Sequence, residues 1–286
     1  MPEVSIIVPT YNSEKYTQNL DKSINNQTFK NFEVIIIDNY SSDNTVNKLK
    51  KLNTSRSNYK FYKIKNKGSI AKSRNFGIEK SKGKYVAFHD SDDFWFPQKL
   101  EICLNAIKEY DFIYHDLKIN NMNNIFDRRR LYSYQLSKIN SFTDIMIKAN
   151  PISTSSVVCK KEIFNDLKFS EEERLITVED YDCWINIALK NYKFKYINKI
   201  LGNYNIYSNN TSKIFQKNSY KYLYIYNRFK KFLPNKEKKI LSKNNFRYLT
   251  ANSLNNKKLK RKYYYHLFFS KIFKSKVKIL LKLVFY

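Results

Sequence analysis

The chain has 286 residues, of which 42% are hydrophobic, and its 53 basic against 25 acidic side chains give a net charge of +28. This length suits one large domain, or one domain with an appendage. No run approaches the ~18 apolar residues that predict a membrane span, and no secretory pattern opens the chain, so we expect a cytoplasmic protein. Three well-separated cysteines, Cys103, Cys159 and Cys183, predict buried thiols and argue against a zinc site.

The positive charge is concentrated in the last third of the chain. Residues 201–286 carry 21 Lys and Arg and one acid, Glu237, whereas residues 101–200 carry 15 basic and 14 acidic residues. A general bias towards lysine would not remove acids from one third alone. We therefore expect the last third to face negative charge.

The first 118 residues alternate between strand-like and helix-like segments. Near-continuous apolar strands joined by helices predict a largely parallel sheet covered on both faces, an α/β, Rossmann-like arrangement. The strands are predicted at 4–9, 32–38, 60–65, 85–89 and 111–118, and the helices at 14–26, 41–52, 69–80 and 97–110.

Three carboxylates, Asp90, Asp92 and Asp93, follow the fourth predicted strand. Parallel sheets bind ligands beyond the carboxyl ends of their strands. Crowded carboxylates repel one another, and their oxygens suit Mg²⁺ or Mn²⁺, so a divalent cation is one prediction. The alternative is that Asp92 or Asp93 caps the following helix.

The glycines limit the class of ligand. The chain has four, Gly68, Gly77, Gly83 and Gly202, and they form neither a Gly-x-Gly-x-x-Gly motif nor a P-loop. This argues against dinucleotide oxidoreductases and P-loop NTPases. Acidic metal ligands on a nucleotide-type sheet without a glycine loop indicate a nucleoside diphosphate held through its metal.

Five blocks of the sequence resemble family 2 glycosyltransferases, in the family's order and with its spacing. The resemblance covers roughly residues 1 to 212, and it implies a GT-A fold, a sugar-nucleotide donor, a divalent metal and inversion at the anomeric carbon. The blocks are 4–12 (VSIIVPTYN), 32–45 (FEVIIIDNYSSDNT), 68–78 (GSIAKSRNFGI), 85–95 (YVAFHDSDDFW) and 178–184 (VEDYDCW).

The resemblance predicts how the chain is divided. Residues 1–212 would form the catalytic domain, with a nucleotide-sugar-binding half at 1–118 and an acceptor-side half at 119–212. Residues 213–286 would form a helical, strongly basic extension.

The resemblance also implies a nucleotide site at the strand ends. Asp38 matches a carboxylate that accepts a hydrogen bond from the base, which favours uracil, and local backbone bonding is the alternative. Arg74 matches an arginine near the base or diphosphate, where a guanidinium can bind phosphate oxygens, and a solvated surface arginine is the alternative. The implied nucleotide-sugar-binding residues are Pro9, Thr10, Tyr11, Asn12, Asp38, Arg74, Asp90, Ser91 and Asp92.

The acidic run matches the family's Asp-x-Asp motif, which implies a site for Mn²⁺ or Mg²⁺. Asp92 would be the direct metal ligand, and Asp90 would lie on the ribose side as the second member of the pair. Asp93 would act at the donor sugar or cap the helix. Trp95 is predicted to pack in the core.

Glu179 and Asp180 match the Glu-Asp motif of the family. Transfer with inversion requires a general base near the acceptor hydroxyl. The resemblance implies that Asp180 is this base and that Glu179 supports it. The alternative is that these acids are favoured by the helix dipole in a first turn, a part more typical of Asp182.

The sequence departs from the family pattern near residue 207. Many relatives carry an Arg-x-His there, whose His can complete the metal or diphosphate site. The corresponding stretch, residues 204–212, has Tyr207 in place of the His. The resemblance therefore does not predict a metal ligand from this segment.

The end of the chain predicts a basic amphipathic helix. Lys271, Lys274, Lys278 and Lys282 fall on one face beside an apolar stripe. Such a helix is typical of attachment to anionic lipid, with packing on the catalytic domain as the alternative. We expect a peripheral protein at the inner face of the plasma membrane, where a polyprenyl-diphosphate-linked acceptor would lie.

Three function classes follow from these patterns. The leading one is an inverting glycosyltransferase that uses a UDP-sugar to extend a saccharide in bacterial surface polysaccharide synthesis. The second is a nucleic-acid-binding protein, which the basic and aromatic tail suggests but the strand-end acids argue against. The third is a non-catalytic sugar-nucleotide fold, suggested by Tyr207.

Overall fold

The fold is given by a computed structural model. The chain divides into two compact units, Met1–Lys213 and Ile214–Tyr286. The assignment of a catalytic role to the first range and a basic extension to the second stays a prediction. The structure describes residues 1–55, 57–121, 130–131, 133–148, 150–207 and 219–238.

One sheet forms the centre of the first unit, and its described strands run in the order β3-β2-β1-β4-β8-β6-β9-β5, with β7 paired to β6. Helices lie between the strands along the chain. The strands are β1 Val4–Thr10, β2 Phe32–Asp38, β3 Tyr59–Lys63, β4 Tyr85–Phe88, β5 Phe94–Trp95, β6 Phe112–Asn121, β7 Arg130–Leu131, β8 Val158–Lys160 and β9 Phe194–Ile206. The helices of this unit are α1 Thr17–Asn25, α2 Thr45–Ser55, α3 Ile70–Lys80, α4 Lys99–Ile107, α5 Ser141–Lys148 and α6 Glu179–Leu189.

The parallel half of the sheet confirms the α/β prediction. Strands β1, β2, β3 and β4 pair in parallel, and every residue of β1, β2 and β4 is buried. Burial on both faces explains why these strands are largely apolar rather than strictly alternating. The register places Thr10 beside Asp38, so both residues lie at the same edge of the sheet.

Helix α3 packs closely on this half. A Cβ atom added at Gly77 would lie 2.6 Å from Ile7 Cγ2 and 2.8 Å from Ile37 Cδ1. The missing side chain therefore lets the helix approach β1 and β2. This approach brings Arg74, on the same helix, to the carboxyl edge of the sheet.

The sheet is mixed beyond β4, which differs from a simple continuation of the parallel pattern. The fifth predicted strand, β6, does not pair with β4, because β8 lies between them and is antiparallel to both. Strand β6 then pairs in parallel with β9. With three residues, β8 is too short to show a period in the sequence.

The helix after the acidic run begins later than predicted. Helix α4 starts at Lys99 with Gln98 as its N-cap residue, not at Pro97. The alternative in which Asp92 or Asp93 caps this helix is therefore wrong. The first predicted helix is also divided, because a 3₁₀ turn, Glu14–Tyr16, precedes α1.

An aromatic cluster fixes α6 against the sheet. Trp184 of α6 lies 4.9 Å from Phe112 and 5.5 Å from Phe169, measured between ring centroids, and Phe169 lies 5.3 Å from Phe88. Edge-to-face pairs of this kind each add about 0.5–1.5 kcal/mol beyond burial. The cluster therefore holds the first turn of α6, with Glu179, near the end of β4.

In the second unit, the structure describes helix α7, Ser219–Phe229, and a following 3₁₀ turn, Lys230–Phe232. The basic amphipathic helix predicted around Lys271 to Lys282 lies outside the described residues. Within the described part of the chain, no helix is both long and apolar enough to cross a membrane.

Candidate active site

The loops after β1 and β2 are joined through Asp38. Its carboxylate is buried and accepts hydrogen bonds from the Thr10 hydroxyl at 3.2 Å and from the Ser41 backbone N–H at 2.9 Å. The Ser41 hydroxyl also donates to it. Local backbone bonding by Asp38 therefore occurs. A carboxylate has about four lone-pair sites, so these three donors do not use all of its acceptor capacity.

The β1 loop presents Asn12 and Tyr11 at the surface. Asn12 has a φ of 46°, a left-handed conformation that asparagine tolerates better than most residues. Its side-chain oxygen accepts a hydrogen bond from the Ser42 N–H at 2.9 Å, and Tyr11 is 58% exposed. Pro9 is buried within β1. The predicted nucleoside residues thus lie together in sequence, but only Tyr11 and Asn12 are open to solvent.

The acidic loop after β4 is fixed by residues from distant segments. The Asn205 backbone N–H donates to Asp93 Oδ1 at 3.1 Å, and the Asn205 side chain donates to the Asp92 carbonyl at 2.6 Å. The Ser91 and Ser13 hydroxyls lie 2.9 Å apart. The end of β9 and the β1 loop therefore hold Asp90 to Asp93 from two sides.

Arg74 links the two acidic motifs. Its side chain is 4% exposed and donates to Glu179 Oε1 at 2.7 Å and to Asp90 Oδ1 at 3.0 Å. Burial alone would lower the pKa of this guanidinium, but the carboxylates of Asp90 and Glu179 outweigh burial and raise the pKa above its ordinary value. The alternative of a solvated surface arginine is wrong, because this side chain lies inside the site.

Asp180 lies beside this ion pair and is half-buried. The Thr154 hydroxyl donates to its Oδ2 at 3.3 Å. Burial, reinforced by the charge of Glu179 and opposed by Arg74, raises the pKa of the Asp180 carboxyl to about 7. A general base works best when its pKa is near the operating pH, so Asp180 is matched to that role near neutrality.

The surroundings of the Asp-x-Asp pair suit a divalent cation. Burial, followed by the charge of Asp90, raises the pKa of the Asp92 carboxyl to about 6. A carboxylate held in this surrounding gains from a cation nearby. No group of three or more potential ligands that could hold a metal occurs among the described residues. Mg²⁺ needs no such cage, since it is held by one or two carboxylates together with substrate phosphates, so the pair fits.

A lysine and two tyrosines cover one side of the acidic loop. The Tyr16 and Tyr207 rings lie 4.6 Å apart, and the Lys15 ammonium lies 4.8 Å and 5.2 Å from their centroids. Burial, followed by Tyr16 and then Asp92 and Asp93, raises the pKa of Tyr207 to about 12. Tyr207 therefore lies at the acidic loop, in the stretch where many relatives carry histidine.

Trp95 and His89 pack below the acidic loop. Trp95 is fully buried and its ring N–H donates to the Ser155 carbonyl at 2.9 Å, which confirms its predicted place in the core. His89 Nε2 lies 3.0 Å from the Ser23 hydroxyl, and burial lowers the pKa of the ring to about 3. The neutral imidazole is therefore part of the support of the loop.

Several residues of the site were missed by sequence reasoning. Asn205, Ser155 and Thr154 contact the predicted acids from segments with no recognisable motif of their own, and Ser155 accepts the Asp90 N–H at 3.1 Å. Lys15 was also missed. The pairing of β8 and β9 with the rest of the sheet brings Thr154, Ser155 and Asn205 to the site, whereas Lys15 lies in the 3₁₀ turn that follows β1.

The sequence is similar to those of known glycosyltransferases. Residues 5–166, more than half of the chain, match the profile described as Glycosyl transferase family 2. A 190-residue region is 31% identical to the Escherichia coli UDP-Glc:alpha-D-GlcNAc-diphosphoundecaprenol beta-1,3-glucosyltransferase WfgD, covering 66% of this chain and 70% of that protein. The chain spans under a third of the length of the first curated relatives that it matches, uncharacterised glycosyltransferases of Rickettsia species.

Solved structures share the fold at low sequence identity. Staphylococcus aureus TarS in complex with UDP superposes with a TM-score of 0.62 at 24% identity, covering 88% of this chain and 72% of that one. The mannosyltransferase PcManGT from Pyrobaculum calidifontis, in complex with GDP-Man and Mn²⁺, superposes with a TM-score of 0.65 at 14% identity, covering 99% and 85%. The GT-A fold expected from the sequence is thereby confirmed. The chain therefore belongs to glycosyl transferase family 2.

Proposed function

We propose that the protein is an inverting glycosyltransferase that moves a sugar from a UDP-sugar to a hydroxyl of a lipid-linked saccharide in surface polysaccharide synthesis. The observation that carries the proposal is the Arg74 bridge, which joins a donor-side acid, Asp90, to the acid pair Glu179 and Asp180. Transfer needs both a donor site and a base in one cleft, and this bridge connects the residues for each.

The donor side is assigned to the strand ends. The nucleoside would lie along the β1 loop, with Tyr11 offering a ring for the base and Asp38 accepting its ring N–H through its remaining acceptor capacity. This arrangement favours uracil. The UDP complex of TarS and the UDP-Glc donor in the name of WfgD support a uridine nucleotide.

The chemical step is an in-line displacement. The bond between the anomeric carbon and the phosphate oxygen breaks, and its electron pair stays on the departing diphosphate. The acceptor oxygen bonds to the opposite face of that carbon, and its proton passes to Asp180, whose pKa of about 7 leaves it ionised in part at neutral pH. Glu179, held by Arg74, keeps negative charge beside Asp180 and so keeps it basic.

A divalent cation is part of the proposal, with Asp92 as its ligand and Asp90 as the second member of the pair. When bound, Mn²⁺ or Mg²⁺ neutralises the charge of the leaving diphosphate. The Mn²⁺ in the PcManGT complex supports a metal in this fold. The protein's own part is to hold the two carboxylates in place, through Arg74 on Asp90 and Asn205 on the loop.

The acceptor and location are proposed from charge and from relatives. The name of WfgD specifies an acceptor linked to diphosphoundecaprenol, a lipid of the membrane. A basic tail with 21 Lys and Arg from residue 201 onwards would attract the enzyme to the anionic inner face of the plasma membrane. A peripheral cytoplasmic location at that surface is therefore part of the proposal.

Thermal unfolding with nucleotide sugars tests the donor side. The wild type should be stabilised by a UDP-sugar together with Mn²⁺, because a ligand that binds at 100 times its Kd adds about 2.7 kcal/mol to the free energy of unfolding. Asp92→Ala should lose the part of the shift that depends on Mn²⁺. Asp21→Ala, on α1, is a matched loss of one carboxylate away from the acidic loop. Absence of any metal-dependent shift with every UDP-sugar tried would end the donor assignment.

A further inference from the structure

We propose that Lys15 is a donor-diphosphate ligand, with Tyr16 and Tyr207 as the residues that position it. The inference rests on the proposed function and names a residue of that site which neither the motifs nor the comparisons assign. It would supply a positive charge to the leaving group from the turn that follows β1.

The position of the Lys15 ammonium carries the first part of the argument. It lies over two aromatic rings, 4.8 Å from the centroid of Tyr16 and 5.2 Å from that of Tyr207. Such contacts are each worth about 0.5–1 kcal/mol at exposed sites, enough to restrict a side chain that is otherwise flexible. Since ring faces attract the charge without accepting its N–H groups in directed bonds, the three donors of the ammonium remain available to a ligand.

The second part of the argument is the position of Lys15 relative to the acidic loop. The Tyr207 ring that the Lys15 ammonium contacts lies two positions after Asn205, whose side chain donates to the Asp92 carbonyl at 2.6 Å. The end of β9 therefore connects Lys15 to the acidic loop. The hydrogen bond between Ser13 and Ser91 joins the Lys15 turn to the acidic loop. A diphosphate bound at Asp92 would therefore lie next to Lys15.

The alternative is that Lys15 only reduces the electrostatic repulsion among the carboxylates of the acidic loop. In that case its loss would weaken every ligand of the site, or the fold itself, to the same extent. A diphosphate ligand predicts something more specific, namely a loss confined to ligands that carry phosphate. Comparing UDP with uridine separates the two, since both contain the same base and ribose.

The test is calorimetric binding of UDP and uridine, with and without Mn²⁺, to the full chain and three variants. Lys15→Met should weaken UDP about ten- to a hundredfold, the size of a lost charge-assisted hydrogen bond, and leave uridine unchanged. Lys15→Arg should keep UDP within about threefold of the wild type, since a guanidinium also binds phosphate. Lys22→Met removes one charge from the exposed surface of the neighbouring helix and should bind both ligands normally.

Each outcome decides between the proposals. Unchanged UDP binding by Lys15→Met, or an equal loss of UDP and uridine, would overturn the assignment of Lys15 while leaving the transferase proposal standing. Failure of the wild type to bind either UDP or uridine would instead refute the uridine-nucleotide donor, and the role of Lys15 with it. Retained uridine binding also shows that the variant is folded.

Discussion

Removing Arg74 is expected to destabilise the first unit strongly. Arg74→Met keeps most of the side-chain length but leaves Glu179 and Asp90, whose side chains are 7% and 26% exposed, without their counter-charge. Breaking a buried ion pair by removing one partner costs about 3–5 kcal/mol, because the remaining charge is buried and uncompensated. The greater exposure of Asp90 makes its share the smaller one, so most of the cost should arise at Glu179.

Urea denaturation of the full chain, with thermal unfolding beside it, measures this loss. A destabilisation of 3–5 kcal/mol should lower the midpoint temperature of a unit of this size by roughly 6–20 °C. Lys50→Met, at an exposed position of α2, should change the free energy of unfolding by less than about 0.5 kcal/mol. The m-value should stay constant, which shows that the same surface is exposed on unfolding.

A second substitution shows whether the cost comes from the charges. In Arg74→Met with Glu179→Gln, the neutral amide removes the uncompensated charge, so the double variant should be more stable than Arg74→Met alone. Arg74→Lys should fall between, because one ammonium cannot match the forked contacts to two carboxylates. If Arg74→Met lies within about 1 kcal/mol of the wild type, or the double variant is no more stable than the single, the ion-pair argument is refuted.

Three further perturbations test the site, the sheet and the tail. Because the general base must be ionised and the pKa of Asp180 is about 7, kcat for sugar transfer should fall as the pH decreases below about 7. Asp180→Asn should remove this pH dependence and lower kcat about 10²- to 10⁴-fold. Both are measured across pH 5–9, and a wild-type rate independent of pH in that range would argue against this base. Gly83→Ala should lower the free energy of unfolding in urea by about 1–3 kcal/mol, because its Cβ would lie 2.6 Å from the Ser5 backbone nitrogen. Lys82→Ala, at the exposed neighbouring position, is the control. An equal loss in the two variants would contradict the close packing of Gly83 against β1. Deleting residues 258–286 should abolish sedimentation with anionic vesicles but not the low background with neutral ones, and unchanged sedimentation would end the membrane proposal.

The ionisation of Asp180 should make the folded protein less stable as the pH rises. Its pKa is raised from the model-peptide value of 3.8 to about 7 in the folded state, so folding takes up a proton between those values. The free energy of unfolding therefore decreases as the pH rises through this window. Asp180→Asn lacks this carboxyl and should be stabilised relative to the wild type above pH 7, with the difference vanishing towards pH 4. Thermal unfolding at pH 8 and pH 4.5 measures both limits.

The parallel half of the fold was predictable because its strands are buried on both faces. Strand β2 matches the predicted range at both ends, since Phe32 to Asp38 is an apolar run that is interrupted only by Glu33 and ends in a charge. Strand β8 was not predicted because three residues are too few to show an alternation of apolar and polar side chains or a strand-like length. The order of the sheet beyond β4 depends on such short pairings, which no local pattern specifies.

In the site, too, the residues marked by a local sequence pattern were predicted, and those that depend on tertiary contacts were not. Asp90, Asp92 and Asp38 were found because parallel strands place their carboxyl ends at one edge, so a charge after an apolar run is meaningful without any coordinates. Asn205 was missed because its backbone N–H donates to Asp93 across 112 positions of the sequence. Arg74 was identified by its motif, but its contact with Glu179, 105 positions away, is a property of the fold.

The buried acids at the strand ends are consistent with the cation that the proposed function requires. Burial is the largest cause of the raised pKa at Asp92, Asp93 and Asp180 alike, and neighbouring carboxylates add to it at each. Arg74 offsets part of this charge at Asp90 and at Glu179, and so links the proposed donor side to the proposed base. In the proposed function, a metal-bound diphosphate would bind at Asp92, next to Lys15. The Arg74 ion pairs would then keep Asp90 and Glu179 in place, and Asp92 would hold the leaving group through the cation.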